Sequence, residues 1–452
     1  MEPKLEKKYG LFTAIAMVVG IVIGSGVFFK AEKILTATGG NLKLGILAWV
    51  IGGIIMISCA YTFSVMATKY QYVNGIVDYA EATMGKKYAY YIGWFMALIY
   101  YPTITSVLAW VSARYTCVIF GFSITGGECM TIACLYLVLS FTLNSLSPVL
   151  AGKFQVSTTV IKLIPLFLMA VIGTFTGIRS GMTMYNFTHS VSQGTPNGLF
   201  TAVVAAAFAY EGWIIATCIN AELKNAKRNL PLALIIGTFI TMSAYILYYI
   251  GLAGTIENEV MMAGGEAGAK LAFQTIFTSA GGSLLFVFVI ISCLGTLNGL
   301  MLGCTRGIYS LAARGLGPKP QIFSQVDSAT NMPVNSAILG LFLCAVWLFY
   351  FYGANLTSNW FGFFSFDSSE LPIITLYALY IPIFIMFMVK GKELSFFNRI
   401  LMPCLSLIGC IFMIIAAAFA HGIAVVAYLI VFSVVMLSAV FFLRRAKQPL
   451  EQ

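Results

Sequence analysis

Apolar residues fall along this chain in blocks of about 20 or more, parted by short polar stretches. A helix rises about 1.5 Å per residue, so such a block matches a hydrocarbon core roughly 30 Å thick. The pattern predicts spans over 11–35, 43–68, 88–120, 130–147, 153–178, 197–219, 230–253, 274–310, 334–353, 359–389, 398–420 and 423–443. A membrane barrel would instead alternate apolar and polar positions over strands of about ten residues. The expected fold is an all-α polytopic membrane protein with twelve transmembrane helices.

Two of the blocks carry an interruption. The first contains "GIVIGSGVFF", residues 20–29, with Gly20, Gly24, Ser25 and Gly26 in its middle. The sixth contains "FAYEGW", Phe208 to Trp213. If the first ten spans divide five and five, these are the leading helices of the two halves. Interrupted helices at matching positions are the best sequence pointer to a transporter binding site. The expected organisation is a tail over 1–10, a five-helix repeat over 11–178, a second over 197–389, two further helices over 398–443, and a tail over 444–452. Between spans, "VNGIVDYAEATMGKKY" (73–88) reads as a short amphipathic helix. "IENEVMMAGGEAGAK" (256–270) reads as a lid, and Gly317-Pro318 as a helix breaker.

Composition agrees with this picture. Of 452 residues, 60% are hydrophobic and 9% charged, against roughly 25% charged in soluble domains. The formal charge of +10 does not call for nucleic acid. Nineteen of the 26 Lys and Arg residues, from Lys4 to Lys447, fall on one side of the predicted topology. The positive-inside rule then makes both termini cytoplasmic, and anionic lipid is a sufficient partner for the charge. No small-residue cleavage site follows the first block. The expected location is a cell membrane of bacterial inner-membrane type. The ten cysteines lack metal-ligand spacing, and His189 and His421 stand apart. With no nucleophile triad and no phosphate loop in view, neither an enzyme nor a cofactor is expected. A channel would want a continuous polar lining, and a receptor would not require two broken helices.

The first break suggests an anion cradle. An unwound turn over 23–26 frees backbone N–H groups that lipid cannot bond. The half-helix starting near Gly26 adds its positive dipole end, which suits a carboxylate. Gly20-x-x-x-Gly24 equally fits a small-residue packing seam. The second break leaves helix-end carbonyls, which suit a cation such as an ammonium. Together the two cradles describe the backbone of an α-amino acid, and Phe208 would close over its side chain. Glu211 and Lys162 are ionisable groups inside spans, which are costly there and so either paired or functional. Glu222 fits an inner-face ion pair with Lys224, Lys227 and Arg228. Asn298 fits helix–helix bonding or a polar site, and Arg114 lies near an outer helix end.

"GIVIGSGVFF", "IKLIP", "FAYEGW", "AELKNAKRNLP" and "CLGTLNG" follow in that order. In this order they resemble the L-amino acid transporter family of the amino acid–polyamine–organocation superfamily, with bacterial serine/threonine exchanger-like members the most similar. The resemblance implies a LeuT-type fold, a 5+5 inverted repeat with helices 1 and 6 interrupted. It implies that the substrate carboxylate binds amides around Ile23, Gly24, Ser25 and Gly26. The ammonium would bind carbonyls of Ile21, Val22, Phe208, Ala209 and Glu211. Phe208 would be the aromatic gate and Lys162 the fifth-span coupling lysine. Sodium-independent exchange of neutral L-amino acids is the implied activity. Many eukaryotic relatives carry glycine where this chain has Glu211, which leaves proton-coupled symport through Lys162 or Glu211 as the alternative. Animal members also pair with a glycoprotein through a cysteine between spans three and four. Cys129 falls there, but "GGECM" adds nothing further, and no obligatory protein partner is expected.

Overall fold

The three-dimensional structure is a computed structural model that describes residues 10–70, 75–192, 194–216, 223–357 and 359–447. Its helices run, in chain order, α1 (Leu11–Val22), α2 (Gly26–Ala37), α3 (Leu42–Lys69), α4 (Ile76–Met84), α5 (Lys86–Phe120) and α6 (Gly127–Leu146). They continue with α7 (Val149–Ser180), α8 (Met182–Thr188), α9 (Gly198–Tyr210), α10 (Trp213–Ala216), α11 (Ala226–Ala253) and α12 (Asn258–Gly264). The last are α13 (Ala267–Ala312), α14 (Pro320–Phe323), α15 (Val334–Leu356), α16 (Leu371–Lys390), α17 (Phe397–His421) and α18 (Ala424–Arg444). Ten of these are long and apolar enough to cross a membrane. The chain is thus a multi-pass, all-helical membrane protein.

Both interruptions are present. α1 and α2 have 12 residues each and α9 has 13. At about 1.5 Å per residue, none of the three alone crosses a ~30 Å core. The uninterrupted helices end where local chemistry ends them. The Asn41 side chain accepts the Leu44 N–H at 3.1 Å and caps α3. Gly121, at φ 72°, closes α5 in the left-handed conformation that glycine adopts without strain.

Among the described residues, predicted and observed helix ends agree within a few residues, with two exceptions; the predicted end of the sixth span, at 219, lies outside them. The tenth span does not start at 359. Residues 359–370 form turns around a single short 3-10 turn (Gly362–Phe364), with Asn359 at φ 62° and Gly362 at φ 54°. The Tyr350 hydroxyl donates to Phe364 O at 2.7 Å and accepts the Phe366 N–H at 2.9 Å, and Asp367 Oδ1 accepts the Glu370 N–H at 3.1 Å. Five aromatic residues in "NWFGFFSF" mimic a membrane block there, but the turn residues among them decide the backbone. The eighth span continues a helix that begins at Ala267, and it breaks at Phe277 and Thr278 (φ 64°), close to its predicted start.

The chain divides into two compact units. The first is Met1–Ala89, Leu163–Phe286 and Ile373–Ala420; the second is Tyr90–Lys162, Val287–Pro372 and His421–Gln452. In the first unit, α11 packs on α1, α3 and the Met169–Gly173 turn of α7, while α9 packs on α2 and α3. Glycines set the approach of α11 to α7. A Cβ on Gly251 would lie 2.2 Å from Met169 O, and one on Gly173 would lie 2.7 Å from Gly251 O. Asn258, at the start of α12, donates to Gly40 O at 2.8 Å, and its N–H reaches Asn186 Oδ1 at 3.0 Å. The 256–270 segment is thereby tied to the loop after α2. In the second unit, α5, α6 and α15 pack on one another. Tyr90, Trp94, Ile308, Leu311 and Ala439 form a buried cluster there.

The glycine contact yields a stability prediction. Gly251→Val is expected to destabilise the protein by about 1–3 kcal/mol through overpacking, read as earlier loss of monodisperse protein in a detergent heating series. Gly264→Ala, where an added Cβ meets nothing within 4 Å, is the control. Equal melting of the two variants would refute the close approach.

Candidate site at the two helix breaks

The first break opens at Ile23. Its backbone is extended (φ −67°, ψ 105°), and its N–H makes the last bond of α1, to Val19 O at 2.9 Å. Ser25, fully buried, stands at the start of α2, and its carbonyl accepts the Phe29 N–H at 3.0 Å. The first turn of a helix leaves N–H groups without intrahelical acceptors. Those of α2 open into the break.

The second break follows α9. Glu211 is extended (φ −66°, ψ 153°), its N–H bonded to Phe208 O at 3.3 Å. Gly212 then takes φ 109°, a conformation open to glycine and strained for other residues. Trp213 restarts the helix, fully buried between Phe63 and Tyr380, with ring centroids at 5.7 and 5.9 Å. Glu211 is half-buried and lies within electrostatic reach of the phenols of Tyr377 and Tyr380.

These breaks touch. A Cβ on Gly26 would fall 2.5 Å from the Ala209 Cα. No side chain fits between the two backbones, which explains the glycine at that position. Tyr245 of α11 ties the breaks together. Its hydroxyl lies 3.0 Å from Val22 O and 3.1 Å from Ala209 O, and the Gly24 backbone N–H faces the same oxygen. One phenolic proton serves two carbonyls here. Each carbonyl oxygen has two lone pairs, so both keep accepting capacity for a further donor. The ring is held by Trp49 at 5.4 Å and by stacking on Tyr210 at 5.2 Å, and the Tyr210 hydroxyl donates to Trp49 O at 2.9 Å.

Phe208 is buried at the last full turn of α9, with its ring edge-to-face on Phe29 at 5.8 Å. Lys30 of α2 is also fully buried. Its ammonium sits 4.6 Å from the Phe208 centroid and 4.8 Å from that of Phe29.

Of the residues singled out in the sequence, Val22, Ile23, Gly24, Ser25, Gly26, Phe208, Ala209 and Glu211 therefore belong to one locality. Ile21 contributes its backbone as the penultimate residue of α1. Lys162 is nearly buried, 3% exposed, and belongs to the second unit. Asn298 serves helix–helix bonding. It accepts from Asn144 Nδ2 at 2.9 Å and donates to Ala151 O at 3.2 Å and Gln155 Oε1 at 3.3 Å. Arg114 lays its guanidinium over the Trp110 ring at 5.0 Å. Cys129 is fully buried. Glu222, with Val73 and Asn74 of the expected inner helix, lies outside the described residues.

Sequence reasoning passed over Tyr245 and Lys30. Tyr245 is one tyrosine among 23, and only its depth in a span marks it, since a buried phenol requires a partner. Lys30 is one of 26 Lys and Arg residues and belongs to none of the quoted motifs.

The family model for amino acid permeases matches residues 9–442. The serine/threonine exchanger SteT of Bacillus subtilis (strain 168) is 28% identical over 91% of this chain and 91% of its own length. The human b(0,+)-type amino acid transporter 1 is 24% identical over 77% of this chain and 75% of its own. The human cystine/glutamate transporter is 23% identical, over 74% and 66% respectively. With a family match over nearly its whole length, the chain belongs to the amino acid permease family.

Proposed function

We propose that this protein is a sodium-independent exchanger of neutral L-amino acids that works by alternating access. It would have twelve spans in a LeuT-type 5+5 repeat and both termini in the cytoplasm. The observation that carries the reading is the direct contact of the two breaks, with Gly26 against Ala209 and Tyr245 bonded to Val22 and Ala209. In this reading the N–H groups at Gly24, Ser25 and Gly26 take the substrate carboxylate. The free lone pairs on Val22 O and Ala209 O, with carbonyls of Ile21, Phe208 and Glu211, take its ammonium. Filling both cradles neutralises the breaks and permits the helices to rearrange, while Phe208 closes over the side chain and Lys162 couples the movement. The exchanger name of one relative and the transporter names of two others support amino acid transport, with exchange as its mode. Full burial of Cys129 supports a chain that works without a disulfide-linked partner.

A proton-coupled symporter is the second reading. It is favoured by Glu211, a half-buried carboxylate at the second break, near the phenols of Tyr377 and Tyr380. Proteoliposomes separate the two. Exchange predicts uptake of labelled L-serine, L-threonine or L-alanine only into vesicles preloaded with an unlabelled amino acid. Uptake into empty vesicles under an inward proton gradient would overturn exchange in favour of symport.

Two substitutions test the cradles. Gly26→Val is expected to abolish substrate-induced thermal stabilisation, because its side chain must displace Ala209; normal stabilisation would remove the carboxylate cradle from this place. Tyr245→Phe removes one donor from two carbonyls and leaves the ring packing intact. It is expected to weaken the tie by about 1 kcal/mol and to change substrate affinity about 5-fold, measured by titration of the purified variant. An unchanged affinity would show that these carbonyls do not meet the substrate.

A further inference from the structure

Lys30 has no role in the mechanism above. It is a fully buried ammonium on a membrane half-helix, four residues beyond Gly26. Placing a charge at such depth is costly, and lysines in spans usually lie near the ends, where they reach the headgroups. Lys30 instead turns inward to the faces of two aromatic rings. One belongs to Phe29 beside it, and the other to Phe208, from the second break. An ammonium within about 6 Å of a ring centroid is attracted by the ring's negative face, more strongly when water is absent. At 4.6 Å the Phe208 contact lies well inside that range. Phe29 meets Phe208 edge-on at 5.8 Å, so the three side chains form one buried cluster.

We propose that Lys30 is a specificity-determining residue, a fixed positive charge behind the Phe208 gate that selects substrates by side-chain charge. The inference rests on the reading of Phe208 as the lid over the substrate side chain. The ammonium holds the ring in place from behind. Its field reaches through the thin ring to whatever lies against the other side. Little water intervenes, so the interaction is weakly screened. A substrate with a cationic side chain meets a like charge there. A neutral one of the same shape does not, and one with an anionic side chain gains. This is discrimination by a repulsive element, which contact surface alone does not provide.

The test uses competitors paired by shape, L-lysine with L-norleucine and L-glutamate with L-glutamine, against exchange of labelled L-serine in proteoliposomes. Wild type, Lys30→Met and Lys30→Arg are compared. Methionine keeps the length and apolar bulk of the stem, and monodispersity in detergent checks that each variant folds. In Lys30→Met the preference for norleucine over lysine is expected to fall by about 10-fold, and that of glutamate relative to glutamine to fall by a similar factor. Norleucine and glutamine themselves should move less than about 3-fold, and Lys30→Arg should retain the wild-type ratios. Unchanged ratios in Lys30→Met would overturn the inference, and so would a parallel loss of affinity for all four competitors, which marks a purely structural lysine. Either result would leave serine exchange by wild type, and hence the transport reading, intact. Absence of serine, threonine and alanine exchange in wild type would overturn the transport reading itself, and the inference with it.

Discussion

A peptide group in the hydrocarbon core of a bilayer has no water to bond, so each opened helical turn must find its partners within the protein. This constraint governs both broken helices. At the first, the Ile23 N–H still reaches Val19 O, and the Ser25 carbonyl already belongs to α2. At the second, the Glu211 N–H folds back to Phe208 O. The carbonyls of Val22 and Ala209 are met by one tyrosine hydroxyl. The openings are kept small, and their residual polarity faces inward.

The neighbouring packing serves the same constraint. A shared hydroxyl satisfies two carbonyls only if its position is fixed within a few tenths of an ångström. Trp49, Tyr210 and Tyr245 form a fully buried aromatic group that fixes it. Close backbone contact at Gly26 brings Val22 and Ala209 within reach of the same oxygen. Glycine thus acts twice in this region. It releases the helix at Gly212 and admits the neighbouring backbone at Gly26.

The helices were legible because length and hydropathy report directly on the bilayer. The breaks were legible because Gly24, Gly26 and Gly212 sit where an uninterrupted span would avoid them. The false start at 359 shows the limit of that signal. Trp360, Phe361, Phe363 and Phe364 are as apolar as a span requires, yet Asn359 and Gly362 adopt left-handed backbone. Tyr245 was illegible for another reason. Its partners Val22 and Ala209 lie 223 and 36 residues away in sequence. A contact of that kind has no local spacing to betray it. Lys30 was illegible for the same reason, since the Phe208 ring it meets lies 178 residues further along the chain.

The bond from Tyr245 to the two breaks has a consequence for the conditions under which the protein holds its shape. A diffusing cation placed between the same carbonyls would come and go with its concentration in the medium. A hydroxyl tethered to α11 by its own side chain is present at a fixed effective concentration, whatever the surroundings contain. The hydroxyl across the two openings is therefore part of the chain itself, held in place by the Trp49 and Tyr210 rings.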